Sequence, residues 1–391
     1  MAGLQRMRDM FGRFIIAFSL FQLCFYSANA QVDLTGYINN YSLLGETRPN
    51  PFDETLWQNM TSQRFNFNWR INNNFNIYIS SRTNFSIGNS TILKMIKATS
   101  TDDYNLMKLS YSLVDKDDKW LGVALDRLAL RWAADDFEIT LGRQRINWGN
   151  TILWNPNDIF DSSPVINFTY PEKMGCDAVR ATFYHSEVAT SEIALSADRD
   201  GSPTAALFHR NNFRKLDYQF LGGVYKGHYL FAGGGFTTEL KHVNIRFEGS
   251  YFRDFRKVGD KRDIVQIAMG IDKIFSNNLI LQTEVLYTNK PYDISDVLFS
   301  YVPKRQSVRE LTTSSWSFAG QLYYPFSNLF SINSLVAYFH DQKAFLVGAE
   351  MSYQIFKNFE LSLMVGAFDY TLGQSYSMDG LAGTLHLKYY F

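Results

Sequence analysis

The sequence predicts an all-β protein, a closed, up-and-down antiparallel transmembrane β-barrel of about 18 strands, within a range of 16–18. Three observations carry this prediction. Apolar and polar residues alternate with period 2 in segment after segment. Tight turns containing Asn trade places with long polar loops. The last segment, LAGTLHLKYYF, is an alternating strand that closes on Phe391.

Residues 1–30 come first. Arg6, Arg8 and Arg13 precede an apolar core from Phe14 to Tyr26, and Ala28-Asn29-Ala30 follows. Those are the three regions of a secretory signal peptide cleaved after Ala30. The competing reading, a membrane helix, needs about 20 apolar residues, more than this core offers. The barrel is then expected over 31–391, as one domain. No run long enough for a membrane helix follows the leader. Cys24 belongs to the leader, so Cys176 is alone in the remainder and no internal disulfide or cysteine metal cluster is expected.

Strands follow in order. RFNFNWRIN sets Phe65, Phe67, Trp69 and Ile71 against Arg64, Asn66, Asn68 and Arg70, and HVNIRFEGSY, DIVQIAMGIDK and NFELSLMVGAF repeat the pattern. Period 2 gives a strand one apolar and one polar face. A soluble sandwich also alternates, but it gains nothing from Tyr and Phe at strand ends, and 16% of this chain is aromatic. In hydrocarbon a closed sheet is the β-structure that leaves no backbone group unpaired. A barrel of this size has a lumen too wide for side chains to fill, so water occupies it.

The turns RINNNFNI, KIFSNNLI, YPFSNLFS and QIFKNFEL are short, because Asn tolerates turn geometry and bonds its own backbone. Longer polar stretches lie at 44–60, 86–119, 147–175, 254–262, 290–313 and 371–380. Short turns on one side and long loops on the other are the asymmetry of an outer-membrane barrel. If both ends of the barrel lie in the periplasm, the strand number is even and the Asn turns share that side. This requires YNLMKLSYSL to be an excursion of loop 86–119 rather than a wall strand, and gives 18 strands.

The terminal strand resembles the C-terminal signal of outer-membrane barrels, with Tyr389 and Phe391 as its aromatic close. The resemblance implies that the barrel-assembly machinery reads this strand and that the protein resides in the outer membrane, in contact with its lipid. The whole chain resembles the porin-like barrels of Bacteroidota, most in GRQRINWGNTILWNPNDIF.

Composition excludes several function classes. The 38 basic residues match the 38 acidic ones, so no nucleic-acid partner is expected. No G-x-S-x-G, H-E-x-x-H or P-loop occurs, and the six His are scattered, so no catalytic residue, cofactor or metal is expected. AGGGF at Gly233–Gly235 lacks phosphate-loop spacing and suits the close approach of strands or a packed loop.

The inward phase of the early strands carries Arg64, Arg70, Arg82, Arg127, Arg131 and Arg180, and that of later strands Asp217, Glu248, Glu284 and Glu350. Facing walls of opposite charge would set a field across the pore; the alternative is local pairing. In FEITLGRQRI the outward phase would put Arg143 and Arg145 into lipid. Either a bulge at Gly142 turns them inward, or they clear the membrane at the rim. Loop 147–175 carries Trp148, Trp154, Asp158, Pro156, Pro164 and Pro171. It is too long for a plain connector, and either folds into the pore as a constriction or stays outside as a flap. Arg127, Arg131, Arg143, Arg145, Arg180 and Asp158 are the candidate pore-lining residues. The expected function is a porin-like channel for passive or mildly selective diffusion of small hydrophilic solutes. The alternatives are a surface-glycan binding or capsule-assembly barrel and an outer-membrane hydrolase.

Overall fold

The computed structural model describes residues 31–49, 55–101, 103–160, 175–256, 263–292, 307–372 and 376–391. The leader at 1–30, and residues 161–174 of the long loop with Pro164 and Pro171, lie outside the described residues.

Nineteen strands run in chain order. They are β1 Gln31–Arg48, β2 Leu56–Arg70, β3 Phe75–Gly88, β4 Ser110–Asp115, β5 Lys119–Ala133, β6 Phe137–Gln144, β7 Cys176–Tyr184, β8 Thr190–Ala197, β9 Pro203–Phe213 and β10 Leu216–Tyr225. The rest are β11 Tyr229–Leu240, β12 Val243–Asp254, β13 Ile264–Ile274, β14 Ile280–Thr288, β15 Trp316–Pro325, β16 Phe330–Phe339, β17 Ala344–Phe356, β18 Phe359–Leu372 and β19 Tyr376–Tyr390. A short helix, Ser90–Thr101, stands between β3 and β4.

Neighbours pair antiparallel around the sheet, and β19 pairs with β1 from Tyr37↔Tyr390 to Arg48↔Asp379, which closes it. The β4 strand is not part of the ring. It pairs with β5 over Trp120–Ala124, while β6 pairs with β5 over Leu128–Ala133, and β3 pairs with β5 directly. The wall is therefore a closed barrel of 18 strands, and the segment read as a loop excursion is one.

The faces are inverted relative to a soluble protein. Outward-facing Leu34, Ile38, Phe85, Leu141, Leu195, Phe220, Ile267, Phe318, Val347 and Leu385 are exposed. Inward-facing Asn39, Arg64, Arg82, Asn84, Glu138 and Thr140 are buried. The tight Asn turns at 72–74, 277–278, 328 and 358 share one end with Gln31 and Phe391. One turn at that end escapes composition. Lys241 and His242 both take left-handed backbone, φ 50° and 62°, between β11 and β12. That is the two-residue hairpin geometry whose twist matches the flanking strands, usually supplied by Asn or Gly.

Closure has its own packing. The Gly36 and Phe391 backbones exchange hydrogen bonds at 2.9 and 3.0 Å. The Phe391 ring lies over Gly36, where any Cβ would strike it and Arg64 O, and meets Phe65 edge-on at 5.5 Å.

Candidate functional site: the inner wall and its folded loop

Residues 145–160 leave β6 and run along the inside of the wall past β8 to β16. A loop inside a barrel carries amide groups that no strand pairs, and buried amides need acceptors. The wall provides two carboxyls. Glu248 of β12 accepts from the backbone N–H of Asn150, of Thr151 at 2.7 Å and of Asn157 at 3.2 Å. Glu284 of β14 accepts from Ile152, Leu153 and Trp154 at 2.9, 3.1 and 2.6 Å. Asn157 donates to Gly234 O at 3.0 Å, and Gln219 of β10 donates to Trp148 O at 2.6 Å.

Small wall residues make room. A Cβ on Gly233 would collide with Asn157 Oδ1, so the AGGGF glycines receive a packed loop, as their pattern suits. The Trp154 side chain, 2% exposed, sits among Ala268, Leu286, Ala319 and Ala337. Trp148 stacks on Phe208 with ring centres 5.0 Å apart and donates its indole N–H to Glu192 at 3.0 Å. Glu248 and Glu284 thus serve as loop anchors, 0% and 6% exposed, and not as an open acidic wall opposite the arginines. The sequence marked their inward phase, but the loop's path is tertiary information and gave no local signal.

Beside the loop, a cavity of about 620 Å³ is lined by Asp33, Asn66, Tyr78, Arg127, Arg131, Glu138, Arg145 and Arg180, among others. It is held open by ion pairing. Arg131 reaches Glu138 at 2.6 Å, while Arg180 lies 3.5 Å from Glu138 and 3.9 Å from Glu192. Tyr184 donates to Glu138 at 3.0 Å, and Arg127 donates to Asp126 O at 2.7 Å. Arg145 is exposed and makes no hydrogen bond or ion pair to any described residue. The lining carries four guanidinium groups of this kind against the carboxyls of Asp33 and Glu138, so positive charge is in excess.

A bulge does reshape this wall, at a neighbouring position. The β3–β5 ladder slips at Ser80/Ser81, leaving Asp126 extra in β5, so Asp126 and Arg127 are consecutive yet both turn inward. Asp126 there pairs with Arg64 at 2.6 Å and with Arg82 at 3.4 Å, all three buried. Gly142 has φ +111°, but its ladders to β5 and β7 pass without a slip.

Arg143 consequently keeps its phase and is 3% exposed. It bonds Asp177 at 2.8 and 3.1 Å, Asp103 at 2.8 Å, Leu125 O at 3.3 Å and Met107 O. This clasp fastens segment 103–109 onto the wall, with Asp177 and Asp103 also accepting from Met107 N and Leu109 N. Asp158 is 2% exposed in the loop's turn at 155–158. Of the six candidates, the structure brings Arg127, Arg131, Arg145 and Arg180 together around one space. Arg143 borders that space with its charge engaged elsewhere, and Asp158 belongs to the loop.

No protein-family model and no curated protein matches this sequence. Solved structures do match. OccAB4 of Acinetobacter baumannii superimposes with TM-score 0.58 at 9% identity, over 92% of this chain and 98% of that one. OccK2 (OpdF) of Pseudomonas aeruginosa gives 0.58 at 10%, over 93% and 98%, and has also been solved in complex with glucuronate. The outer membrane protein opdK of the same species gives 0.53 at 8%, over 92% and 99%. The chain has the Occ fold. At these identities the likeness is one of fold, spanning nearly the full length of each Occ barrel.

Proposed function

We propose that the protein is a porin-like channel of the outer membrane, passing small hydrophilic solutes by diffusion with a mild preference for anions. The observation that carries this reading is the water-accessible cavity beside the folded loop, in which Arg127, Arg131, Arg145 and Arg180 outnumber the carboxyls. Charges lining a narrow aqueous passage decide which ions enter it. Loop 147–175 acts as the constriction, its described part being fixed to the wall by Glu248 and Glu284. The leader at 1–30 exports the chain and is removed after Ala30; Tyr389 and Phe391 are read by the assembly machinery. The tie to porin-like barrels of Bacteroidota rests on the segment at 142–160.

No catalytic role is assigned. The glycan-binding alternative needs aromatic platforms open to solvent, and Trp148 and Trp154 are buried against the wall. The glucuronate complex of OccK2 suggests a compact sugar acid as a practical probe. The test is conductance in a planar bilayer. Stable open steps with anions favoured at low salt, and current blocked by millimolar glucuronate, are expected. Silence in the bilayer combined with polysaccharide binding would replace this reading with the glycan-binding one.

A further inference from the structure

The outer surface holds a patch that the channel does not use. Asn40 and Ser42 of β1, Asn59, Thr61 and Gln63 of β2, and Ser81 and Thr83 of β3 all project from the lipid-facing side. They are contiguous, because Asn40 pairs with Thr61, Ser42 with Asn59, and Gln63 with Thr83. Their level is not a rim. On one flank Leu387 and Leu385 of β19 stand opposite Asn40 and Ser42, and on the other Val123 and Leu125 of β5 stand opposite Thr83 and Ser81. Above lie Leu44, Trp57 and Phe85, and below lie Ile38 and Phe65, all exposed.

Part of the patch satisfies itself. Asn40 donates to Asn59 Oδ1 at 3.1 Å and Thr61 Oγ1 at 3.0 Å, and Asn59 returns bonds to Asn40 Oδ1 at 3.1 Å and Ser42 Oγ at 2.8 Å. Gln63, Ser81 and Thr83 make no hydrogen bond to any described residue through their side chains. An amide facing hydrocarbon without a partner is strongly disfavoured, since lipid tails neither donate nor accept. Polar side chains at such positions join membrane-embedded surfaces to one another.

We propose that this patch on β1–β3 is where a second copy of the chain docks within the bilayer. The patch is uncharged, so it offers nothing to an anionic headgroup. Its amides and hydroxyls both donate and accept, which makes the surface its own complement, the requirement of a closed symmetric contact. The reciprocal Asn40–Asn59 pair shows the geometry with which Gln63 of one copy meets Gln63 or Thr83 of the other.

The proposal rests on the membrane reading above, and the experiment separates the two. Purified protein is refolded into phosphatidylethanolamine–phosphatidylglycerol vesicles, with insertion followed by heat-modifiable gel mobility. Association is followed by energy transfer between two labelled populations, and by light scattering in mild detergent. Wild type is expected to insert, to transfer energy, and to scatter as an integral multiple of one chain. The variant Gln63→Leu/Ser81→Ala/Thr83→Val makes the face more apolar and is expected to insert equally while energy transfer falls at least tenfold. A single-chain mass for wild type, or undiminished transfer in the triple variant, would overturn the docking proposal. Failure of wild type to insert would instead overturn the membrane reading beneath it.

Discussion

Arg143 and Arg145 are two residues apart and meet opposite fates. Arg143 spends its donors on two carboxyl groups and two carbonyls, whereas Arg145 stands exposed at the cavity. Arg143→Gln leaves Asp103 and Asp177 buried without their cation, a change that costs about 3–5 kcal/mol in buried pairs. Its expected outcome is a lower heat-modification temperature and faster proteolysis within 103–109. Arg145→Gln is expected to leave that temperature unchanged and to reduce anion selectivity at low salt. The difference should fade once the Debye length drops to about 3 Å near 1 M salt. The sequence made both arginines conspicuous, because their phase points two charges at lipid. It could not assign their partners. Asp103 lies 40 residues from Arg143, and only the path of the loop excursion brings them together.

At the scale of an element, the folded loop is held by two carboxyls that between them take six amides. Leaving a buried donor unsatisfied costs about 1–3 kcal/mol, so removing either carboxyl favours release of the loop into lumenal water. The double variant Glu248→Ala/Glu284→Ala is expected to conduct more, with frequent transitions between levels, while its barrel stays heat-modifiable. Unchanged step size and quiet current would show that the loop does not limit passage. Gly233→Leu should act in the same direction by displacing Asn157 from the wall. Strands were legible from sequence because their two faces meet two solvents, and the Asn turns because Asn suits them chemically. The Asp126 bulge was not legible: an extra residue in a ladder shows only against its partner strand. The Lys241–His242 turn was hidden for the same reason, its geometry being imposed by the hairpin rather than by residue preference.

For the whole molecule, closure depends on the contact of Phe391 with Gly36. Phe391→Ser removes the ring at the seam and the aromatic close of the last strand. The amount of heat-modifiable barrel in the outer membrane is expected to fall sharply. Gly36→Val should do likewise by filling the space beneath the ring, although it leaves the terminal sequence intact. If Phe391→Ser depletes the barrel and Gly36→Val does not, recognition of the last strand outweighs packing at the seam. The strand number was legible because parity ties it to the placement of the turns. The charge balance of the lumen was not, because half of its acidic partners serve the loop.

The β1–β19 seam also sets a timetable. Along β1, the edge facing β19 runs from Tyr37 to Arg48, and its partners begin more than 330 residues later in the chain. During translocation, the first strand to emerge is therefore the one that waits longest. An open sheet edge invites pairing with any passing strand, and contacts so distant in sequence form slowly. Each nascent chain must keep this edge shielded for nearly its entire passage, so a chaperone that occupies β1 and yields to β19 would govern yield more than any interaction inside the finished barrel.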